Sequence, residues 1–245
     1  MPKFAVILPA AGKSTRFGGP QKKPFVSIDG RPIWQRAAEL FWNRDDVSRV
    51  YLVINPEDRD DFKQRFTHLI AFANAEVVVG GAERFESVAN ALAMVPDSVD
   101  FVAVHDAVRP LTPPCLIDAV FATAAEQGAA MLATPVADTL KRVEDRRIIE
   151  TVPREGLWQA QTPQVFRRDW LTEAYANRAK LTTSITDDAQ LMEAMGHPVY
   201  VVPGSPTNFK ITTKEDLDLA IAIVKSRSSV PAAKMTLGFD DEAKW

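Results

Sequence analysis

The stretch FAVILPAAGKSTRFGGPQKKP, residues 4–24, decides how the rest of the chain is read. Its first five residues, Phe4 to Leu8, form a short, branched, unbroken apolar run. Such a run suits a parallel strand covered on both faces and predicts the central strand of a sheet. The residues after it are small, glycine-bearing and basic, and leave that strand at its carboxyl end, the edge at which open α/β sheets bind ligands. Ala10, Ala11 and Gly12 let backbone approach a guest closely, exposed amides can bond phosphate oxygens, and Arg16 and Lys23 can balance several negative charges. A triphosphate is the guest this chemistry fits.

Two familiar phosphate loops are excluded by spacing. Gly12-Lys-Ser-Thr15 looks like the end of a P-loop, but the first glycine of that motif would fall on Ile7, inside the strand. The dinucleotide fingerprint fails as well, because Ser14 stands at its second glycine and Arg16 and Phe17 interrupt the turn.

Working outward, further apolar runs predict strands over 50–54, 76–79, 101–104 and 131–136, and amphipathic segments predict helices over 32–42, 57–69, 84–94 and 115–126. Strand and helix alternating at this spacing imply right-handed crossovers and a doubly wound, mostly parallel α/β sheet with helices on both faces. The rhythm breaks over 137–161, which is charged and carries Pro153 and Gly156. Alternation in Arg147-Ile-Ile-Glu-Thr-Val152 predicts a projecting two-stranded β-arm. A lone hairpin is marginal in water, so the arm needs support from a second subunit or from its own domain. The order resumes with a helix after Thr162, a helix over 188–195, strands over 199–202 and 209–212 and a last helix over 214–225. A single domain over 1–225, including the arm at about 137–161, is therefore expected, followed by a poorly patterned, flexible tail over 226–245.

Composition narrows the function. With 245 residues, 46% hydrophobic and 25% charged, the chain has the balance of a globular protein. A formal charge of −3 offers no global attraction to nucleic acid or anionic lipid, so no nucleic-acid and no membrane partner is expected. Cys115 is the one cysteine, which excludes an intrachain disulfide and a cysteine metal cluster and suits the cytoplasm. The N-terminal run lacks a cleavage region, and no uncharged apolar run approaches the roughly 18 residues that span a bilayer.

Three further segments carry chemistry. In Val104-His-Asp-Ala-Val-Arg-Pro110 a strand ends on Asp106, which can seed a magnesium site because that ion is commonly held by one or two carboxylates plus substrate phosphates. The alternative for Asp106 is a turn or helix cap. His105 points to the other face of the strand and forms no hydrolase triad with its neighbour. In Gly80-Gly-Ala-Glu-Arg-Phe-Glu-Ser-Val88, backbone amides, Arg84 and Ser87 can line a base or ribose pocket, whereas Glu83 and Glu86 read as first-turn residues favoured by the helix dipole. In Asn208-Phe-Lys-Ile-Thr212, Lys210 gains interest only from the ensemble.

Together these segments resemble the 2-C-methyl-D-erythritol 4-phosphate cytidylyltransferases. The resemblance runs from about residue 4 to 225 and rests on segments 9–16, 80–88, 104–110, 133–142, 158–166, 185–188 and 208–212 in the family's order and spacing. It implies a nucleotidyltransferase variant of the Rossmann-like fold and a homodimer joined through the arm, with active sites drawn from both subunits. It implies magnesium-dependent transfer of CMP from CTP to 2-C-methyl-D-erythritol 4-phosphate, giving 4-diphosphocytidyl-2-C-methyl-D-erythritol and pyrophosphate, in non-mevalonate isoprenoid precursor synthesis. On the matching positions, Ala10, Ala11, Gly12, Gly81 and Ser87 would hold the nucleotide, and Arg16, Lys23 and Lys210 the triphosphate and transition state. Asp106 would position metal and acceptor, and Arg109, Thr139, Arg154 and Thr162 would receive the acceptor. The sequence departs from the family where Lys22-Lys23-Pro24 replaces the usual proline-lysine-glutamine; counting from Arg16 puts Lys23 in the catalytic place, with Lys22 as its substitute. Ribitol 5-phosphate stays open as an alternative acceptor, and a non-catalytic CTP-binding regulator as an alternative role.

Overall fold

The computed structural model describes residues 1–12, 17, 22–178 and 185–229. A seven-stranded sheet organises them, built from β1 (Phe4–Pro9), β4 (Val47–Ile54), β5 (Ala75–Val79), β6 (Phe101–Val104), β7 (Ala129–Pro135), β10 (Trp158–Arg167) and β11 (Tyr200–Pro203), in the spatial order β11-β7-β10-β6-β1-β4-β5. Between β1 and β4 in the chain, the two-residue strands β2 (Ser27–Ile28) and β3 (Arg31–Pro32) pair with each other apart from this sheet. β10 runs antiparallel to both its neighbours, and the other pairings of the large sheet are parallel. The predicted doubly wound α/β class is thus what forms. The middle position belongs to β6, with β1 beside it, not to β1 as its apolar run suggested.

Alternation along β1 explains why that run has no polar face. Val6 and Leu8 enter a cluster with Trp34 of α1 (Ile33–Glu39), Phe62 of α2 (Arg59–Phe72) and Leu116 of α4 (Pro114–Gln127). Ala5 and Ile7 enter the opposite cluster, with Val88 of α3 (Arg84–Leu92), Leu171 of α5 (Arg168–Asn177) and Leu191 of α6 (Asp188–Ala194). Each fully buried aliphatic side chain contributes about 1.5–3 kcal/mol relative to exposure, so both faces drive sheet formation. A third cluster packs Ala220 and Val224 of α7 (Lys214–Ser229) on Ile28, Leu111 and Ile211, which brings the last helix back to the ligand edge.

The sequence reading misplaces several elements. The segment after Thr162 is strand until Arg167, and helix α5 begins only at Arg168. Pro163 is what argues against a central strand, since it donates no ladder bond; β10 meets this with a register shift against β7 between Ala160 and Gln164. Residues 209–212 are not a strand but a connection tied to the sheet side by Ile211 N–H donating to Val108 O at 3.0 Å. Helix α7 continues through Ser229, past the start of the expected tail, and 230–245 lie outside the described residues.

The predicted arm forms as a hairpin of β8 (Leu140–Glu144) and β9 (Arg147–Val152). Asp145 and Arg146 join them with φ of 47° and 64°, the left-handed pair that a two-residue hairpin turn needs. Its root is shorter than expected on the far side, because 158–161 already belong to β10.

Candidate active site

A cavity of about 650 Å³ opens at the carboxyl ends of the parallel strands. β1 leads into Ala10, Ala11 and Gly12; β5 leads into Gly80 and Gly81, with Arg84 at the start of α3 and Ser87 one turn up it; β6 leads into Asp106; Lys23 and Lys210 come from connections. Every described member of the sequence-derived nucleotide set, and both described cationic candidates, therefore share one space. Arg16 lies outside the described residues.

The small residues are there for contact. A Cβ on Gly80 would lie 2.8 Å from the Ala11 Cβ and 2.7 Å from the Ser87 Oγ, so the loops after β1 and β5 touch only because Gly80 has no side chain. A Cβ on Gly81 would sit 2.4 Å from that of Glu86. At Gly12 the same addition meets nothing within 4 Å among the described residues, and the tight contact described lies on the β5 side. Ser87 is buried and accepts from Gly81 N–H at 3.1 Å while donating to Glu83 O at 3.1 Å. Glu83 and Glu86 form a capping box on α3, Glu86 accepting from Ala82 N–H at 2.6 Å, which fits their reading as helix-start residues.

On the opposite wall Asp106 is 7% exposed, and its Oδ2 lies 3.0 Å from Lys210 Nζ and 3.4 Å from Arg109 Nε. Burial alone would push this carboxyl up; Lys210, then Arg84 and Arg109, outweigh burial and hold it well below the usual carboxylate range. The carboxylate is thus a charge partner, not a helix cap. Arg109 also donates to Asn208 O at 2.6 Å and stands behind Asp106 instead of lining the cavity.

Thr162 is buried beneath the same wall: its Oγ1 accepts from Asp106 N–H at 3.0 Å and lies 3.1 Å from His105 Nδ1. His105 Nε2 faces Arg109 O at 3.0 Å, an atom that only accepts, so Nε2 carries the proton and Nδ1 accepts from Thr162. Burial lowers this imidazole to about 4, and it is neutral and structural, on the side of β6 away from any triad.

The two lysines after the first loop part ways. Lys22 Nζ sits 2.8 Å from Asp58 Oδ1 and 2.9 Å from Oδ2, outside the cavity, whereas Lys23 lines it. Thr139 and Arg154 lie exposed on the arm and its root and do not line this chain's cavity; Arg154 donates to Ala137 O.

Sequence reasoning left out several residues. Asn55 lines the cavity beyond β4, its side chain donating to Ala11 O at 3.4 Å. Asn208 is fully buried, donating to Gln161 Oε1 and Thr162 O and accepting from Thr112 Oγ1 at 2.7 Å. Its place two residues before Lys210 was the available signal. Arg84, by contrast, is offered as a pocket residue by the Gly80 to Val88 segment in sequence, and it does line the cavity.

Among the described residues no group of three or more acidic, histidine or cysteine side chains is placed to hold a metal by itself. A single carboxylate at a phosphate-binding edge matches the way magnesium is held, with substrate oxygens completing the shell. Asp106 fits that donor set as the protein's contribution.

The 2-C-methyl-D-erythritol 4-phosphate cytidylyltransferase family model, IspD, matches residues 4–226. The chain is 43% identical to the enzyme of that description from Rhodopirellula baltica over 90% of this chain and 94% of that one. It is 40% identical to the Bacillus velezensis enzyme, over 92% and 97% of the respective lengths. The crystal structure of the Thermus thermophilus enzyme superposes with a TM-score of 0.75 at 34% identity, covering 92% of this chain and all of that one. These likenesses also decide between the two polyol phosphates that the cavity chemistry alone leaves open. The chain belongs to the 2-C-methyl-D-erythritol 4-phosphate cytidylyltransferase family and transfers CMP from CTP to 2-C-methyl-D-erythritol 4-phosphate in the non-mevalonate route to isoprenoid precursors.

Proposed function

We propose that catalysis rests on charge compensation: the cavity holds two anions together while an oxygen of the acceptor's phosphate attacks the α-phosphorus of CTP and pyrophosphate leaves from the opposite side. One phosphorus–oxygen bond forms as another breaks, and no covalent enzyme intermediate is needed. A phosphate monoester is already anionic near neutral pH, so the nucleophile needs little deprotonation. The observation that carries this reading is the convergence of Lys23, Lys210 and Arg84 with one buried carboxylate on a cavity whose other wall is glycine and alanine backbone.

In this reading Ala10, Ala11, Gly12, Gly81 and Ser87 bind the cytidine half. Lys23 and Lys210, joined by Arg16, neutralise charge that develops on the α-phosphoryl oxygens and leaving group. Asp106 would hold magnesium, which when bound would supply further neutralisation of the phosphate oxygens. Asp106, oriented by Lys210 and Arg109 and held at its backbone by the buried Thr162, positions the acceptor.

The arm completes the site from a second subunit. Val143, Ile148 and Ile149 on the hairpin and Leu157 and Trp158 at its root are exposed, a set of apolar side chains that an isolated hairpin has no means of covering. Thr139 and Arg154 then serve the partner's cavity. Mixing an Arg154→Ala chain with an Arg16→Ala chain restores activity in mixed dimers if the sites are shared; absence of recovery after verified subunit exchange counts against it. The exposed Cys115 is compatible with work in the cytoplasm, and among the described residues no helix is long and apolar enough to cross a membrane.

The decisive assay is pyrophosphate release from CTP and magnesium with methylerythritol 4-phosphate, ribitol 5-phosphate or no acceptor. Release with the first alone, abolished by EDTA, is expected. Turnover unaffected by EDTA would remove the metal, and CTP binding without any release would make the chain a regulator.

A further inference from the structure

The segment Ile185-Thr-Asp-Asp188 has no part in the chemistry of the cavity, and α6 does not line it. Its two carboxylates nevertheless do different things. Asp187 accepts from Gln190 N–H at 3.0 Å and caps α6, and it also accepts from Gln164 Nε2 at 2.8 Å. Gln164 in turn accepts from Ala189 N–H at 3.0 Å, so the start of the helix is fastened to β10 from both sides.

Asp188, 1% exposed, turns the other way. Its Oδ2 accepts from Arg84 NH2 at 2.7 Å and its Oδ1 from the Tyr175 hydroxyl at 2.5 Å. Arg84 is a cavity residue. A guanidinium has five N–H donors, so the pairing through NH2 leaves others for a ligand. Although burial disfavours its charge, Asp188 and then Asp106 outweigh burial, so Arg84 is held as a cation between two carboxylates.

A long side chain at a cavity wall normally loses rotamer freedom on binding an anion. Here a buried carboxylate, itself braced by a phenol and carried by a helix fastened to the sheet, has already fixed it.

We infer that Asp188 is a positioning residue for nucleotide binding, holding Arg84, with Tyr175 as brace, so that the guanidinium meets the anionic part of CTP. The inference rests on the reading of this cavity as the nucleotide site.

The test is a double-mutant cycle on the full chain: Arg84→Ala, Asp188→Asn and both together, with Tyr175→Phe as a milder probe, read by calorimetric CTP affinity and by KM for each substrate. Arg84→Ala should weaken CTP about tenfold, the order of a lost charge-assisted hydrogen bond, and change KM for methylerythritol phosphate less than about twofold. Asp188→Asn should weaken CTP several-fold, and the double variant should bind no worse than Arg84→Ala alone. Losses that multiply in the double variant, or CTP affinity unchanged in Arg84→Ala, would overturn the inference. If Asp188→Asn does not fold, unchanged affinity in Tyr175→Phe overturns the brace, and a two- to threefold loss confined to CTP supports it. A wild-type chain that fails to bind CTP would remove the site reading itself, an outcome distinct from a failed cycle in an active enzyme.

Discussion

Charge is used in opposite ways at the cavity and on the arm. At the cavity, Asp106 and Lys210 meet at 3.0 Å with the carboxylate side chain only 10% exposed, and Arg84 and Arg109 add to the field around it. On the arm, Arg142 and Glu150 meet closer still, at 2.6 Å, but with both side chains more than half exposed. Distance alone would rank the arm pair higher. Burial reverses the ranking, because water and salt screen the exposed pair while the buried carboxylate has only its cations for compensation.

The largest effect expected from this contrast is kinetic. On the proposed charge-compensation mechanism, Lys23→Ala removes a cation from the reacting phosphates and should lower kcat by about 10²–10³, as loss of a transition-state donor does. Lys22→Ala, which frees Asp58 and Glu57, should cost less than about tenfold. Steady-state kinetics with both variants decides, and equal losses would mean that the cavity does not select between neighbouring lysines.

Asp106→Asn comes next. It leaves Lys210, Arg84 and Arg109 without their shared carboxylate, and the destabilisation expected of a broken buried pair is about 3 kcal/mol. The sign of the pH dependence comes from the lowered pKa. The wild-type contribution is complete above about pH 4, where the unfolded carboxyl ionises, and is lost as pH falls through the lower folded value. Urea unfolding of both chains at pH 7 measures the difference; a variant as stable as wild type would show that the cluster tolerates its own repulsion.

His105 gives the next step down in the same wall. Its folded value of about 4 against 6.5 unfolded means that stability is complete above about pH 6.5 and declines as pH falls toward 4, by about 3 kcal/mol in all. Only part of that total is lost at pH 5.5. His105→Gln should flatten the profile between pH 6.5 and 4 in urea titrations, and an unchanged slope would assign the titration elsewhere.

What was legible in the sequence divides along the same line. The parallel strands β1 and β6 announce themselves because both faces are buried and the residues are apolar throughout, and β4 and β5 do so through the apolar runs Val50 to Ile54 and Val77 to Val79. The glycine and alanine loops that leave them are also readable, since small residues at strand ends have a steric reason to be there. β10 was hidden because Trp158, Gln159 and Ala160 are exposed and Gln161, Thr162 and Gln164 are buried polar residues satisfied by partners far along the chain. Thr162 reaches His105 and Asp106, and Gln161 reaches Ser205 at 2.8 Å. No periodicity records a hydrogen bond made across such a separation. Asp188 escaped for the same reason, its partner Arg84 lying 104 residues away. Counting from Arg16 put Lys23 ahead of Lys22 in sequence, and Lys23 is the one of the two that lines the cavity.

The smallest expected effect tests the arm. In a double-mutant cycle of Arg142→Ala and Glu150→Ala, the coupling should be below about 1 kcal/mol and should shrink further as salt shortens the Debye length from about 10 Å at 0.1 M to about 3 Å at 1 M. The hairpin register does not depend on this pair, since β8 and β9 are held by their ladder and by the left-handed turn at Asp145 and Arg146. A coupling well above 1 kcal/mol that resists salt would mean that the pair is covered when the chain is at work. Covering Arg142 and Glu150 requires something laid over the arm, and a second copy of the chain docking on Val143, Ile148 and Ile149 would do so. A salt-resistant coupling that disappears on dilution to monomer would therefore move the arm pair from the exposed to the buried side of the comparison, and would do it through assembly, with no change in the fold of either chain.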